Sequence, residues 1–393
     1  MRLLFAFGII TFFTFLSCKP DANNFPDKIL INGNIYTVDS IRPVAQAIAI
    51  DADTIMAIGS NEEIKALKGP VTQVIDLGGA FTLPGLIEGH GHFAGMGKSL
   101  LQLNFLKSAS WEDIVNQVAA AAKEAKPGEW IEGRGWHQEK WDSVPPRTVK
   151  GYPYHDALSA VSPDNPVVLK HASGHGLIAN QKAMEMAGLT RETPNPTGGE
   201  IVRDAQGNAI GVFEERAMPI IMDLYQQYLD SLTPEQLFQK WKTGIEKAQD
   251  LCISMGITSF QDAGTTPGLG WYDSNEELAA YEEMAKNGEM KIRMWAMLRE
   301  HAATLETLLD EFPKIGIGNG HFTSKAIKSE LDGALGSYGA WLLEDYSDKP
   351  GFRGQNTTPL TEVEKIAMQA LEHDMQLCVH GIGDRGNHEI LNL

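Results

Sequence analysis

The segment Leu83-Pro84-Gly85-Leu86-Ile87-Glu88-Gly89-His90-Gly91-His92-Phe93 contains a short apolar strand that ends in two histidines separated by one residue. Residues i and i+2 of an extended strand point to the same side, so the two imidazoles can face one ion. Gly89 and Gly91 remove bulk beside them and let the backbone approach closely. Because neutral imidazole is a common metal ligand, the pattern predicts that His90 and His92 bind a metal.

A capped helix followed by a strand is the recurring unit beyond this segment. Thr233 and Gln236 match a capping box, with proline at the first helical position between them. Apolar residues follow at steps of three and four, and Gly256 is placed to end the helix. The stretch Ile257-Thr258-Ser259-Phe260 then has the composition of a strand.

The same unit recurs near the end of the sequence. Thr361 and Glu364 predict a second capped helix, and the strand 376–380 follows it. Strands that alternate with helices favour a parallel sheet with right-handed crossovers. We therefore predict the α/β class, with a (β/α)8 TIM-type barrel as the architecture.

Residues 28–82 have a different pattern, in which short apolar runs alternate with turn residues. One example is the apolar run 29–31, the turn 32–34 and the apolar run 35–38. Short strands at this spacing indicate a small all-β unit. We predict a small, partial β-sandwich domain over residues 28–82.

The first residues resemble a secretory signal. Arg2 precedes an uncharged apolar stretch over residues 3–16, which is too short for a membrane-spanning helix of about 20 residues. The sequence Phe15-Leu16-Ser17-Cys18 resembles a bacterial lipobox, in which the cysteine is acylated. We predict a lipoprotein signal peptide over 1–17, a tether over 18–27, and a lipid anchor in the bacterial cell envelope, facing the periplasm or on the outer membrane. A plain signal peptide and an uncleaved anchor are the alternatives.

The composition limits the classes of function. A net charge of -18 and a pI near 5.0 argue against nucleic-acid binding through a basic surface. A hydrophobic fraction of 43% and a mean hydropathy of -0.20 argue against disorder and against a polytopic membrane protein. Three cysteines cannot form a disulfide framework. These values favour a globular protein, and they leave its oligomeric state open.

With these motifs the chain resembles the amidohydrolase superfamily, and more closely amidohydrolase family 3, the branch that includes N-substituted formamide deformylases. The resemblance extends from residue 29 to the C-terminal end and rests on a series of motifs. Beyond the histidine pair these are Trp130-Ile131-Glu132-Gly133-Arg134-Gly135-Trp136, Ser173-Gly174-His175, Thr197-Gly198-Gly199-Glu200-Ile201-Val202-Arg203-Asp204, Gly256-Ile257-Thr258, Asp332-Gly333-Ala334-Leu335-Gly336-Ser337 and His380-Gly381-Ile382-Gly383-Asp384-Arg385.

The resemblance implies the order of the barrel strands, of which about five are present. In chain order, the strands carry or end near His90 with His92, Asp262, Leu298, Lys328 and His380. The barrel then occupies residues 83–97 and 252–393. Residues 98–251 form a large insertion after the first strand, which we expect to cover the site and to shape the substrate pocket.

The resemblance also implies further metal ligands. In similar family members the lysine of the fourth strand becomes a carbamate that bridges two metals, and Lys328 is the candidate for this carboxylated lysine. The alternative is an ordinary lysine in an ion pair. Glu330 is either a competing ligand or a solvent-facing residue, and His380 resembles the histidine ligand of the fifth strand. We expect one or two divalent metal ions, with zinc as the expected metal.

Four other residues are predicted to contact the substrate or to orient the ligands. His175 stands where relatives often have an Asp-Gly-His motif, and Trp136 belongs to a motif of the insertion. Asp332 and Asp384 follow the fourth and fifth strands, where a carboxylate can hold a ligand in place.

These residues imply metal-assisted hydrolysis of an amide-like carbon–nitrogen bond in an N-formyl, N-acyl or cyclic amide. A metal lowers the pKa of bound water from about 15.7 toward about 7 and polarises the scissile carbonyl. Two other classes stay open. One is an inactive or truncated barrel lipoprotein that acts as a binding protein, and the other is a deaminase or isomerase that uses the same metal site.

The family pattern further implies a histidine after the sixth strand and a proton-shuttling aspartate after the eighth. The sequence ends at Leu393, shortly after His380. We therefore interpret it as C-terminally truncated, either a fragment of a longer protein or a truncated gene product. The activity is assigned to the intact protein rather than to these 393 residues.

Overall fold

The chain divides into two units, Met1–Gly85 and Leu86–Leu393. The computed structural model describes residues 25–265 and 272–393. The predicted signal peptide, the acylation site Cys18 and most of the predicted tether therefore lie outside the described residues. Within the described ranges, every helix is too short or too polar to cross a membrane.

The first unit consists of short strands in two sheets. Its elements are β1 (Lys28–Ile31), β2 (Asn34–Tyr36), β3 (Val44–Ala45), β4 (Ala47–Asp51), β5 (Thr54–Gly59), α1 (Asn61–Lys65), β6 (Gln73–Asp76) and β7 (Phe81–Thr82). One sheet has the order β5-β4-β1-β6 and the other β3-β2-β7. Ile29 and Ile31 are buried because alternate residues of β1 face a small apolar cluster. The sandwich arrangement of the two sheets stays a prediction.

The second unit begins with the histidine strand and continues into a segment that has its own sheet. Its first elements are β8 (Leu86–Gly91), α2 (Phe93–Leu100), β9 (Leu103–Asn104), α3 (Trp111–Glu124), β10 (Ile131–Trp136), β11 (Thr148–Val149), β12 (Tyr152–Pro153), α4 (Asp156–Val161), β13 (Val167–His171), β14 (Gly176–Ala179), α5 (Gln181–Met186), β15 (Gly199–Arg203), β16 (Ala209–Glu215) and α6 (Pro219–Asp230). Six of these strands form one sheet in the order β15-β16-β14-β13-β10-β9. Separate apolar clusters pack against it.

The chain then returns to the sheet of β8. The remaining elements are α7 (Pro234–Ser254), β17 (Ile257–Asp262), α8 (Ser274–Lys286), β18 (Arg293–Leu298), α9 (Ala302–Leu308), β19 (Lys314–Gly316), α10 (Ile317–Gly320), β20 (Phe322–Glu330), α11 (Leu360–Glu372), β21 (Gln376–His380) and α12 (Asp384–Leu391). Strands β8, β17, β18, β20 and β21 pair in this order, and every pair is parallel. The sheet is curled like half of a barrel. The predicted order of the first five barrel strands is thus observed, and closure by eight strands stays a prediction.

One of the two predicted helix caps is confirmed and the other is wrong. The N–H of Gln236 donates to the hydroxyl of Thr233 at 3.2 Å, and the N–H of Thr233 donates to the Gln236 side chain at 2.9 Å. Helix α11, by contrast, begins at residue 360, with Pro359 at the N-cap and without a side-chain cap. A proline disfavours the helical conformation at the residue before it, and this helix starts directly after Pro359. Thr361 therefore lies inside the first turn and cannot serve as the N-cap.

Helices α2 and α7 pack closely against each other beside the sheet. A Cβ atom built on Gly97 would lie 2.8 Å from the backbone of Gly244, so both positions require glycine. Around this contact, Trp241, Ile245 and Phe93 are fully buried in one apolar cluster. Since a large buried apolar side chain contributes about 1.5–3 kcal/mol, this cluster holds the helices against the strands that carry the site.

Candidate active site

The four predicted metal ligands lie at the carboxyl ends of parallel strands, where α/β barrels place their sites. His90 belongs to β8, Lys328 to β20, and His380 is the last residue of β21. Burial lowers the pKa of His90, and the charges of Lys328, His92 and His380 lower it further, against the opposing effect of Glu88. The four residues therefore lie at the same edge of the parallel sheet.

His92 is held in the orientation that a metal ligand needs. Its ring centroid lies 6.0 Å from that of His90, with the two planes at 86°. Its Nδ1 atom lies 2.9 Å from the carbonyl oxygen of Gly264. With the proton on Nδ1, the ring donates to this carbonyl, and Nε2 keeps the lone pair that can bind a metal.

Lys328 has surroundings that favour a neutral amine. It is 7% exposed, and among the described residues its ammonium group has no hydrogen bond or ion pair. Burial lowers its pKa, and the Arg299 guanidinium lowers it further, whereas Cys378 and Glu330 act in the opposite direction. The strand register places Lys328 opposite Cys378 and Glu330 opposite His380. Because alternate residues of a strand share one face, the lysine and His380 lie on the same side of the sheet.

Two acidic residues near the site are engaged by other groups. Glu330 forms an ion pair with Arg299, whose side chain is only 12% exposed. The Glu330 side chain is 43% exposed, which agrees with the solvent-facing alternative, and its ion pair with Arg299 was not predicted. Asp384 accepts the backbone N–H groups of Leu343 at 2.9 Å and Arg385 at 2.8 Å. Its carboxylate therefore joins the start of α12 to the loop around residue 343.

The donors fit a divalent metal in their chemistry, although their side chains do not converge into a closed site. In the ranges 25–265 and 272–393, no three His, Cys, Asp or Glu side chains stand close enough to hold one ion. Within the part of the chain that the structure describes, His92 nevertheless has no hydrogen bond at its second ring nitrogen, and the buried Lys328 amine has no partner. Imidazole nitrogens with an oxygen donor from a modified lysine form a set that zinc accepts.

Two predicted substrate residues lie apart from this cluster. His175 is exposed and its Nδ1 atom lies 3.0 Å from the Glu215 carboxylate. Trp136 is 1% exposed, and its ring N–H donates to the carbonyl of Leu169 at 2.8 Å. The indole therefore packs in the core of the six-stranded sheet and offers no polar atom to a ligand, which corrects the prediction of a substrate contact. A large aromatic ring whose N–H is already bonded is typical of a core position.

Asp332 is buried directly behind the loop that follows His380. Its Oδ1 atom accepts the N–H of Ile382 at 2.9 Å, and its Oδ2 atom accepts the N–H groups of Gly383 at 2.8 Å and Trp341 at 2.7 Å. With an exposure of 2%, this carboxylate is enclosed and fully used. The residue thus holds the backbone beside the predicted ligand.

Asp262 was not among the residues predicted for the site. This last residue of β17 is 2% exposed, and burial raises its pKa to about 6. Its Oδ1 atom accepts the N–H groups of Phe93 at 3.3 Å and Gly264 at 3.2 Å, and its Oδ2 atom lies 3.5 Å from the Tyr281 hydroxyl. The available signal was an aspartate that directly ends an apolar strand.

Comparisons with known proteins show the family to which this chain is related. A family model described as the Amidohydrolase family matches residues 73–392. The chain is 29% identical over 370 residues to the putative amidohydrolase YtcJ of Bacillus subtilis, covering 92% of this chain and 64% of that protein. It is 27% identical over 369 residues to the N-substituted formamide deformylase of Arthrobacter pascens, covering 91% of this chain and 64% of that protein.

The fold has a counterpart among solved structures. The crystal structure of an uncharacterized metal-dependent hydrolase from Pyrococcus horikoshii superposes with a TM-score of 0.62 at 24% sequence identity, covering 93% of this chain and 67% of that one. This likeness supports a mixed α/β, barrel-like unit. The chain spans less than two thirds of the length of the curated relatives that it matches. Because the family model covers most of the sequence, the chain belongs to the amidohydrolase family.

Proposed function

We propose that the intact protein is a metal-dependent hydrolase of an amide-like carbon–nitrogen bond, with an N-formyl, N-acyl or cyclic amide as substrate. The observation that carries this proposal is the placement of His90, His92, Lys328 and His380 at the carboxyl ends of parallel strands in one sheet. Membership of the amidohydrolase family supports hydrolysis. The relative named as an N-substituted formamide deformylase supports the choice of a carbon–nitrogen bond.

In this proposal His90, His92, Lys328 and His380 would hold one or two divalent metal ions, with zinc the expected ion. When bound, such an ion polarises a carbonyl group and lowers the pKa of water from about 15.7 toward about 7. The chain itself orients His92 through the Gly264 carbonyl, so that Nε2 faces the site. Burial and the Arg299 guanidinium lower the pKa of Lys328 and so favour its neutral amine. The neutral amine is the form that attacks carbon dioxide and becomes a carbamate.

The two further parts of the proposal concern access and location. We propose that the insertion over residues 98–251 covers the site and selects the substrate, because its separate sheet follows directly on the histidine strand. We also propose that acylated Cys18 anchors the protein in the cell envelope, on the basis of its lipobox-like sequence.

The test measures metal content and hydrolysis in the full-length protein. Elemental analysis of the wild type should find one or two zinc ions per chain, and a panel of N-formyl, N-acyl and cyclic amides should contain a substrate. Replacing both His90 and His92 with Ala removes two imidazole ligands, so metal content should fall steeply, since a catalytic zinc site has about three protein ligands. His175→Ala is the matched histidine control, because this residue pairs with Glu215 in the insertion.

Three other outcomes would contradict this proposal or favour one of the alternative functions. A double variant that keeps its full metal content would overturn the site. A wild type without metal and without turnover would favour the binding-protein alternative. A metal-loaded wild type that releases ammonia from an amine, or rearranges its substrate without consuming water, would favour the deaminase or isomerase alternative.

A further inference from the structure

The backbone beside His92 is held by a carboxylate from the neighbouring strand. Asp262 ends β17, which pairs with β8, and its Oδ1 atom accepts the N–H of Phe93, the residue that follows His92. The same oxygen accepts the N–H of Gly264, and the carbonyl of Gly264 accepts from His92 Nδ1. One buried oxygen atom therefore fixes both ends of the contact that orients the His92 ring.

The backbone beside His380 is held in the same manner. Asp332 follows β20, which pairs with β21, and it accepts the N–H groups of Ile382 and Gly383. These are the second and third residues after His380. A third N–H, from Trp341, donates to the same carboxylate.

We infer that Asp262 and Asp332 are positioning residues of the metal centre, each a buried carboxylate that fixes the backbone after a histidine ligand on the adjacent strand. The inference rests on the proposed function, because it requires His92 and His380 to bind metal. Both carboxylates are 2% exposed, and their hydrogen bonds within the described residues are to backbone N–H groups or to one tyrosine hydroxyl. Preorganised ligands lose less freedom when a metal binds, and partners of this kind change metal affinity by about 10–100-fold.

The two carboxylates differ in a way that a single substitution can detect. In Asp262 both N–H donors use Oδ1, and Oδ2 faces the Tyr281 hydroxyl. Asparagine can keep this pattern, because its oxygen accepts both N–H groups and its NH2 donates to the tyrosine oxygen. In Asp332 both oxygens accept backbone N–H groups. Asparagine in either orientation therefore turns its NH2 group toward a backbone N–H: Ile382 loses its acceptor in one orientation, and Gly383 and Trp341 lose theirs in the other.

The experiment measures zinc dissociation constants and hydrogen–deuterium exchange of the full-length protein. Asp262→Ala and Asp332→Ala should each weaken zinc binding about 10–100-fold. Asp262→Asn should keep the wild-type affinity, whereas Asp332→Asn should behave like its alanine counterpart. In the metal-free protein, exchange should rise at the amide of Phe93 in Asp262→Ala, at the amides of both Ile382 and Gly383 in Asp332→Ala, and at one of these two amides in Asp332→Asn.

Asp204→Ala is the matched control. The Asp204 side chain is 4% exposed and accepts the N–H groups of Gln206 and Asn208, so it holds a turn in the insertion with the same kind of contact. Its loss should raise exchange at that turn and leave zinc affinity unchanged.

Three results would count against the inference. Alanine variants at 262 and 332 that bind zinc as the wild type does would refute the positioning roles and leave the metal site standing. Equal losses for Asp262→Asn and Asp332→Asn would show that charge, not hydrogen-bond geometry, is responsible, and would overturn the inference as stated. A wild type that binds no zinc would remove the proposed function and the inference together.

Discussion

Replacing Glu277 with Gln should stabilise the protein at neutral and alkaline pH. This carboxyl group on α8 is 3% exposed, and it accepts the ring N–H of Trp241 at 3.2 Å and the hydroxyl of Thr265. Burial raises its pKa to about 7, and the nearby carboxylate of Asp262 adds to this effect. The two hydrogen bonds act in the opposite direction without offsetting it.

The magnitude follows from the difference between the folded and unfolded pKa of this one group. A raised pKa means that the folded protein binds the proton more tightly, so its stabilising effect is complete below about pH 4.5 and is lost as the pH rises through about 7. At about 1.4 kcal/mol per pH unit, this loss amounts to about 3 kcal/mol. Glutamine can accept from Trp241 and donate to Thr265 without titrating. The variant should therefore not lose this stability as the pH rises.

The assay is urea unfolding of wild type and Glu277→Gln between about pH 5 and about pH 8. The wild type should lose stability relative to the variant as the pH rises. Glu282→Gln on the same helix is the matched control with the opposite sign. Burial alone would raise the pKa of Glu282, but Lys286 at 2.6 Å and Lys314 at 2.7 Å lower it, so this variant should lose stability relative to wild type above about pH 4.5. Parallel curves for wild type and Glu277→Gln would refute the reasoning.

Three other predictions follow from the same structure. Lys328→Ala should lower the metal content, and added short carboxylates should partly restore activity; a lysine that is only structural would lower thermal stability with unchanged metal content. Gly97→Val should destabilise the protein by about 1–3 kcal/mol in chemical unfolding, because a side chain at this position collides with the backbone of Gly244, and a wild-type midpoint would contradict the close packing. Mass spectrometry of the mature N-terminus should find a diacylglyceryl group on Cys18, and an unmodified terminus that begins elsewhere would disprove the anchor.

Local patterns were sufficient where the interactions are local. The capping box of Thr233 and Gln236 joins residues three positions apart, so its geometry follows from the helix itself. The same kind of pattern failed at Thr361, because Pro359 had already set the start of α11. The positions of His90 and His92 on one strand end follow from alternation along an extended chain.

The sequence patterns did not predict contacts between residues that are far apart in the chain. Asp262 binds the N–H of Phe93 across 169 positions, and Glu330 pairs with Arg299 across 31. Neither contact has a periodic signature, since each depends on which strands lie side by side and on their register. The burial of Trp136 was missed for the same reason, because the motif that contains it does not reveal which side of the sheet is covered.

The amino-acid sequence by itself therefore determined most of the elements of this protein and the types of its predicted metal ligands, since strand alternation, helix caps and the family motifs are encoded over short stretches. Only the tertiary structure decided which groups surround those side chains. The parallel order of β8, β17, β18, β20 and β21 places Lys328 and His380 at the same edge of the sheet as His90. It also places a buried aspartate behind each of two histidine loops, because hydrogen-bond partners across a sheet are chosen by register and burial rather than by neighbours in the chain.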